Sequence, residues 1–307
     1  MPFSQGNRAG LSYVPEVTFG TTPGTPSFVS LPYTSHTLNL AKERVTGNDL
    51  QVDRMTRVDR HGNRSVAGDI VVDFRKADYD PFLEAAFFNT FSTNVLKIGT
   101  TPRFFSIEDA ATDIAQFRLF TGMSVSSLAV SIKPNQMVTG TFGMVGRNMT
   151  IGGTSLDPIK TAASTNQPFD SYSGIMEIGN SGVALTASAI VTGIDFTISN
   201  ELAPTFVVGS AITPQLEYGM AMVEGTITAY FEDATLINRF INEVQTGLRV
   251  SVDDPTGLSD YTFFFPRVKI NAADVPVEGP TSRIVTMPFV ALYDTVENTS
   301  VSLTRSV

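Results

Sequence analysis

Apolar residues along this chain fall into short alternating runs bounded by Gly, Pro, Asn and Asp, the period-2 pattern of strands with one buried face. The first half carries them at Phe28–Tyr33, Ser65–Phe74, Arg103–Ile107, Gln116–Phe120, Leu128–Ile132 and Met137–Val145. The second half continues with Ile190–Ile198, Gly225–Phe231, Leu248–Val252, Tyr261–Phe265 and Ile284–Leu292. Many short β-branched and aromatic runs with turn signals between them predict a mainly β chain, its antiparallel sheets forming a sandwich or barrel. Only two segments switch to a helical period. Asp80-Pro81 opens the first, as N-cap and first helical residue, with Phe82, Leu83, Ala86 and Phe87 on one face. Asp233 opens the second, with Leu236, Ile237, Phe240, Ile241 and Val244 on one face.

Each helical segment directly follows a strand, and this symmetry extends to the sequence itself. At an offset of 157, Gly68 lies on Gly225, Ile70 on Ile227, Phe74 on Phe231 and Ala77 on Ala234. One residue out of step, at 158, Leu38 lies on Phe196; at 145, Phe105–Asp109 lies on Val250–Asp254, Leu119-Phe120 on Phe264-Phe265 and Val125 on Ile270. At 147, Met137–Phe142 lies on Ile284–Phe289. The blocks keep their order, so the chain divides into two modules, 1–157 and 158–307, each with one flanking helix and one long loop. The join falls in the Ser/Thr/Gly/Pro-rich stretch 152–168, which reads as a linker. The alternatives are chance agreement between two β-rich halves, or a second half that is a dissimilar outer domain.

Composition narrows the chemistry. The chain has 307 residues, 42% of them hydrophobic, and no cysteine, so it has no disulfide, zinc-thiolate or thiol nucleophile. That composition fits use in a reducing cytoplasm. The opening segment Met1–Arg8 has no apolar core, and the longest near-apolar run, Val183–Ile194, is too short to span a bilayer, so no membrane association is expected. Residues 1–157 hold 14 basic and 14 acidic side chains, whereas 158–307 hold 7 and 16, so the net charge of −9 lies wholly in the second half. An acidic balance argues against DNA binding, which needs clustered Lys and Arg.

No catalytic constellation, cofactor motif or metal site is expected. His36 and His61 are the only histidines; His61 reads as a hairpin-tip residue. Glu108-Asp109 and Asp253-Asp254 lack the Asp-x-Asp-x-Asp-Gly series of a calcium loop and read as solvated residues at a structural corner. Gly152-Gly153 has no Lys-Ser/Thr behind it and is no phosphate loop.

Two excursions invite contact with another chain. The first, 47–65, mixes Asp53 and Asp59 with Arg54, Arg57 and Arg60, charges suited to setting register against a neighbouring subunit. Its counterpart, 203–219, is apolar and carries Phe206, Val207 and Val208, a patch that calls for cover.

The segment Glu16-Val-Thr-Phe-Gly-Thr-Thr-Pro-Gly-Thr-Pro…Leu31-Pro-Tyr-Thr-Ser35, followed by Leu38-Asn-Leu, the Val52-Asp-Arg…Val58-Asp-Arg excursion, Gly68-Asp-Ile and Tyr79-Asp-Pro-Phe-Leu-Glu, resembles the major tail tube proteins of long-tailed bacteriophages with non-contractile tails. The resemblance implies a structural virion protein, not an enzyme. Its modules would form six-membered rings that stack into the tail tube, the conduit for DNA ejection. A duplicated chain would close such a ring as a homotrimer of pseudo-hexameric symmetry; a single-module chain would need six copies. The implied partners are further copies of itself, a tape measure protein inside the tube, and tail terminator and distal tail or tip proteins. Genomic DNA would pass without specific binding, after assembly in the host cytoplasm. A β-sandwich adhesin or decoration protein of the virion surface is the alternative.

Overall fold

The computed structural model describes residues 3–188, 190–254, 260–277 and 279–306; Met1 and Pro2 of the opening segment and Ala189 of the near-apolar run lie outside them. After a 3-10 turn at Gly6–Arg8, the first half runs β1 (Ala9–Glu16), β2 (Val29–Ser30), β3 (Ser35–His36), β4 (Asn39–Thr46) and β5 (Asp59–Asp73). It continues through α1 (Asp80–Phe87), β6 (Val95–Lys97), β7 (Phe104–Ala111), β8 (Gln116–Ile132), β9 (Thr139–Gly146) and β10 (Asn148–Gly152). The second half runs β11 (Ile175–Asn180), β12 (Thr186–Ala187), β13 (Val191–Ser199), β14 (Ala203–Pro204), β15 (Leu216–Glu217) and β16 (Met222–Tyr230). It closes with α2 (Thr235–Ile241), β17 (Thr246–Asp253), β18 (Asp260–Ile270), β19 (Ile284–Ala291) and β20 (Ser302–Arg305).

These strands build a β-sandwich, with no closed barrel among the described residues. One layer is a single antiparallel sheet in the order β4-β5-β9-β8-β13-β16-β19-β18, with β3 extending β4. The other layer is made of two pieces, β2-β1-β7-β8-β10 and β12-β11-β17-β18-β20-β6. β8 and β18 belong to both layers. In β8 a bulge between Val125 and Ser127 bends the strand, so one 17-residue strand replaces the two predicted at Gln116–Phe120 and Leu128–Ile132.

The same succession of pairings occurs in both halves. β4–β5, β5–β9, β7–β8 and β8–β9 in the first are matched by β13–β16, β16–β19, β17–β18 and β18–β19 in the second. Gly225 opposes Phe196, and continuing the β4–β5 register sets Gly68 against Leu38, the offsets of 157 and 158. Two offsets need correction. Ile70 opposes Phe142 while Ile227 opposes Met287, so Phe142 corresponds to Met287 rather than Phe289. Ile107 opposes Phe120 while Leu248 opposes Phe265, so β7 corresponds to β17 at 141, not 145; the second hairpin has four more residues between these matched partners.

Packing explains why the patterned positions were legible. Along β13, Ile194, Phe196 and Ile198 are buried while Asp195 and Thr197 face away, and the other strands of this sheet behave alike. In the first half Phe82 of α1 stacks on Phe105 at 4.7 Å between ring centroids and meets Tyr13 edge-on at 4.9 Å. In the second, Phe196 meets Phe263 and Phe265 at 5.0 and 5.1 Å. Gly68 adopts φ +152°, and a Cβ there would lie 2.6 Å from the Thr37 backbone; at Gly225 it would lie 2.5 Å from Phe289 and 2.6 Å from Asp195 O. At both matched positions a side chain has no room.

Several local expectations fail for identifiable reasons. Asp80 is the first helical residue rather than the N-cap; its carboxylate turns instead to Arg305 and Tyr261. The second helix spans only Thr235–Ile241, with the Asp233 carboxylate accepting from Thr235 N–H at 2.7 Å ahead of it. Phe28–Tyr33 keeps just two strand residues before Pro32, which has no N–H to donate. His61 pairs with Arg44 in the β4–β5 ladder and is not at the hairpin tip. The supposed linker is laid across the first half: Thr161 and Phe28 are joined by Thr161 N–H to Phe28 O at 2.8 Å, and Asp157 accepts from Phe28 N–H at 2.8 Å.

Candidate assembly surfaces

Three surfaces stand out, and each follows from where the strands end. The first is the face of the eight-stranded sheet turned away from the core. Because side chains alternate, burying Val66, Ile70, Phe142, Phe196 and Ile227 delivers Asp69, Thr141, Ser131, Asp195, Thr197, Glu224 and Thr226 to the opposite face. Those side chains are short, polar and partly acidic. Asp69, Asp73, Asp195 and Glu224 stand against Lys133 and Lys269, and Lys133 is itself 3.4 Å from Asp195. Among these residues four acids stand against two lysines, a balance that does not favour phosphate binding.

The second surface is the pair of edges of that sheet. Among the described residues β4 forms a ladder with β5 alone, and its outward side faces solvent. At the far end, β18 pairs with β19 through Val268–Ile270, and the chain continues alongside β19 as far as Asp274. Between them the sheet passes from one half to the other through β8–β13, where Ser127–Ile132 pairs with Ile194–Ser199 without interruption.

The third surface is one rim, where the two excursions identified from the sequence converge. The arm carries Arg54 and Arg60 exposed, while Asp53 is paired with Arg57 and Asp59 with Arg44 at 2.8 Å, so both acids are already matched within the chain. The apolar excursion is closed by the short β14–β15 ladder and by Thr213, whose hydroxyl lies 2.6 Å from both Thr205 O and Gln215 O. Arg64 N–H at the base of the arm donates to Ala211 O at 2.8 Å, joining the two excursions. Phe206 is 38% exposed, Val207 53% and Val208 fully exposed.

The carboxylates read as solvated turn residues are not solvated. Glu108 and Asp109 lie in β7, 1% and 7% exposed. Lys160 Nζ reaches Glu108 at 2.7 Å and Arg118 Nε donates to Asp109 at 2.8 Å. Burial opposes ionisation of Asp109, but hydrogen bonds from His36 and Arg118 outweigh it and hold the carboxyl below its ordinary range. These are buried, partnered charges, with Arg118 across the β7–β8 hairpin and Lys160 and His36 from distant sequence. Among the described residues no group of three or more His, Cys, Asp or Glu could hold a metal ion, and no helix is long and apolar enough to cross a membrane.

Asp253 is the opposite case. Burial raises its carboxyl, and Asp260, Asp254 and Asp170 raise it further. An acid whose folded value is raised destabilises the fold above that value, and the penalty disappears below the unfolded value. Asp253→Asn is therefore expected to raise the thermal midpoint at pH 7, the difference from the parent closing as pH falls through the carboxylate range; a midpoint unchanged at pH 7 would show the repulsion to be screened.

A tie between the halves lies beneath these surfaces. Asp80 is held by Arg305 and by the Tyr261 hydroxyl, and Ala77 N–H donates to that hydroxyl at 3.1 Å. Burial, then Asp80, pushes the Tyr261 phenol well above its ordinary value, so it remains a donor. Nearby, β6 of the first half pairs with β20 of the second through Val95–Lys97 and Ser302–Thr304. Sequence reasoning missed both features, since neither has a local signature.

No curated protein matches the chain. The family model for phage tail tube proteins matches residues 6–291, a span that includes every strand of the eight-stranded sheet, both sheet edges and both excursions. With nearly its whole length covered, this chain belongs to the phage tail tube protein family, a structural and non-enzymatic family of the virion tail.

Proposed function

We propose that the chain closes into rings of three copies and that these rings stack into the tube through which the genome leaves the virion. The observation that carries this reading is the eight-stranded sheet, which runs through both halves and ends on each side in a strand whose outer edge has no ladder partner among the described residues. Unpaired edges invite association, and closing a ring removes them. The repeated pairings and the residue matches support reading 1–157 and 158–307 as two copies of one module, so that three chains supply six modules. Three chains also supply 24 strands, and at roughly 4.8 Å between strands tilted by about 40° these enclose a channel roughly 50 Å across the backbone. Six chains would give about 100 Å, far more than a duplex needs.

In this arrangement the face carrying Asp69, Asp73, Asp195 and Glu224 lines the channel, where negative charge keeps DNA from adhering. The arm, with Asp53, Arg54, Arg57, Asp59 and Arg60, and the apolar Phe206, Val207 and Val208 project from one rim and are suited to contact the next ring. A tape measure protein would occupy the channel during assembly in the host cytoplasm, and terminator and tip proteins would cap its ends. Negative-stain microscopy of the purified chain is expected to show rings or hollow tubes with threefold symmetry. Discrete monomers at high concentration, or decoration of the virion surface in place of tubes, would sink this reading.

A further inference from the structure

At each edge of the eight-stranded sheet one outward backbone group is satisfied by a side chain of the same molecule. From Thr37 into β4 the amides alternate: Thr37 N–H donates inward to Asp69 O at 2.9 Å, while Leu40 N–H turns outward and donates to Asn39 Oδ1 at 2.9 Å. At the other edge Asp274 and Thr286 exchange backbone hydrogen bonds at 3.0 and 2.9 Å, which leaves Ala273 and Val275 turned outward. There Val275 O accepts from Arg283 Nη2 at 2.7 Å.

The joint inside the chain shows how such edges meet. In it Leu128 opposes Ile198 and Val130 opposes Phe196, and Asn200 N–H donates to Ser126 O at 2.8 Å. Carrying the first strand forward by 145 residues and the second back by 158, the offsets fixed by strand partners elsewhere, sets Ala273 against Leu40 and Val275 against Leu38. Two properties not used in the transfer agree with it. The outward amides of the two edges coincide with those that bond across the internal joint. The side chains match in face as well: Leu38, Leu40, Ala273 and Val275 all belong to the core side.

The helices supply a separate observation. α1 lies beside the internal joint and is buried there, with Asn200 Nδ2 donating to Ala86 O at 2.9 Å from the other half. α2 occupies the corresponding place beside the free edge, and its Phe240 and Ile241 remain 37% and 64% exposed. The missing cover is what the first half of a second copy would provide.

We infer that Ile270–Val277 of one chain pairs antiparallel with Thr37–Ala41 of a second copy, with Leu40 opposite Ala273 and Asn39 opposite Asp274. This seam rests on the ring reading above and specifies its register. Asn39 and Asp274 form a non-hydrogen-bonded pair, with Cα atoms about 4.5 Å apart, within disulfide reach. The chain has no cysteine, so the double variant Asn39→Cys/Asp274→Cys carries only the engineered pair. Tubes of this variant under mild oxidation are expected to give a denaturing-gel ladder ending at a closed trimer. The yield should be several-fold above that of Asp274→Cys combined with Thr37→Cys or Ala41→Cys, where the diagonal is about 7–8 Å.

Tubes that cross-link best at position 37 or 41, or not at all, overturn the seam while the tube reading stands. A ladder reaching six chains supports the seam and overturns the three-chain ring. Absence of rings and tubes from the unsubstituted chain overturns both. Should the double variant misfold by circular dichroism, Asn39→Cys and Asp274→Cys chains mixed in equal amounts carry the same test, with disulfide dimers expected in mixed tubes and their absence overturning the seam.

Discussion

Leu40→Pro is expected to yield a folded monomer that forms no tubes. Proline removes one N–H and places its ring where that hydrogen was, which is tolerated on an edge strand when the lost group pointed outward. Leu40 N–H points outward and is satisfied in the free chain only by the neighbouring Asn39 side chain, so the β4–β5 ladder keeps its hydrogen bonds. Some burial of the leucine is lost, so stability should fall by roughly 1–2 kcal/mol. The interchain ladder suffers far more, losing a central hydrogen bond and meeting a ring where a strand must approach. Sedimentation and negative-stain microscopy should show the parent as tubes and the variant as monomers, with near-identical circular dichroism. Asn39→Pro is the contrasting substitution: its N–H lies on the inward side with that of Thr37, and its loss should lower the urea midpoint of the monomer itself. Tubes from Leu40→Pro would show that β4 is not a ring edge.

Phe82→Ala should produce the largest loss of stability available from one side chain in the first half. Phe82 is fully buried and touches Tyr13, Phe105 and Phe142, with ring centroids between 4.7 and 5.5 Å. Those rings come from β1, β7 and β9, so the helix side chain locks the two layers of the sandwich together. Removing it forfeits the transfer of a whole aromatic ring and leaves a cavity that three strands cannot collapse to fill, a cost of about 3–5 kcal/mol. Urea unfolding monitored by tyrosine fluorescence measures this directly. A loss below about 1 kcal/mol would mean that the layers do not depend on α1. Tube formation should fail along with folding, in contrast to Leu40→Pro, where assembly fails alone.

These two outcomes differ in how far the sequence could foresee them. The Phe82 cluster was legible, because one face of a short amphipathic segment announces its burial. The Gly68 and Gly225 match was legible for an equally hard reason: neither site has room for a Cβ, so the residue cannot drift. Register was legible only where no bulge intervened. Bulges at Phe105/Ile107, Val125/Ser127 and Thr246/Leu248, with hairpin tips of unequal length, slide one strand past another without changing which residues are apolar. Sequence matching then found agreeable but incorrect alignments for β7 and β9.

The candidate surfaces were legible in part. The charged arm and the apolar excursion stood out because their polarity breaks the surrounding pattern. The sheet edges did not, because an edge is defined by what fails to pair with it, a property of topology with no composition of its own. Buried Glu108 and Asp109 were misread for a related reason. Their partners Lys160, Arg118 and His36 are scattered across more than a hundred residues, and each alone looks like an ordinary surface charge.

The short strand β6 has one further consequence. It leaves the first half to complete a sheet of the second, and its neighbour Asp80 reaches the same sheet through Arg305 and Tyr261. A gene cut between residues 157 and 158 would therefore encode two fragments, of which the second lacks the strand that pairs with β20 and the first carries a strand without that partner. Each fragment would have to recover the other in trans before either finished folding. Under the proposed duplication, the crossing strand would bind the two modules to one chain, because neither alone holds every strand of its own sheets.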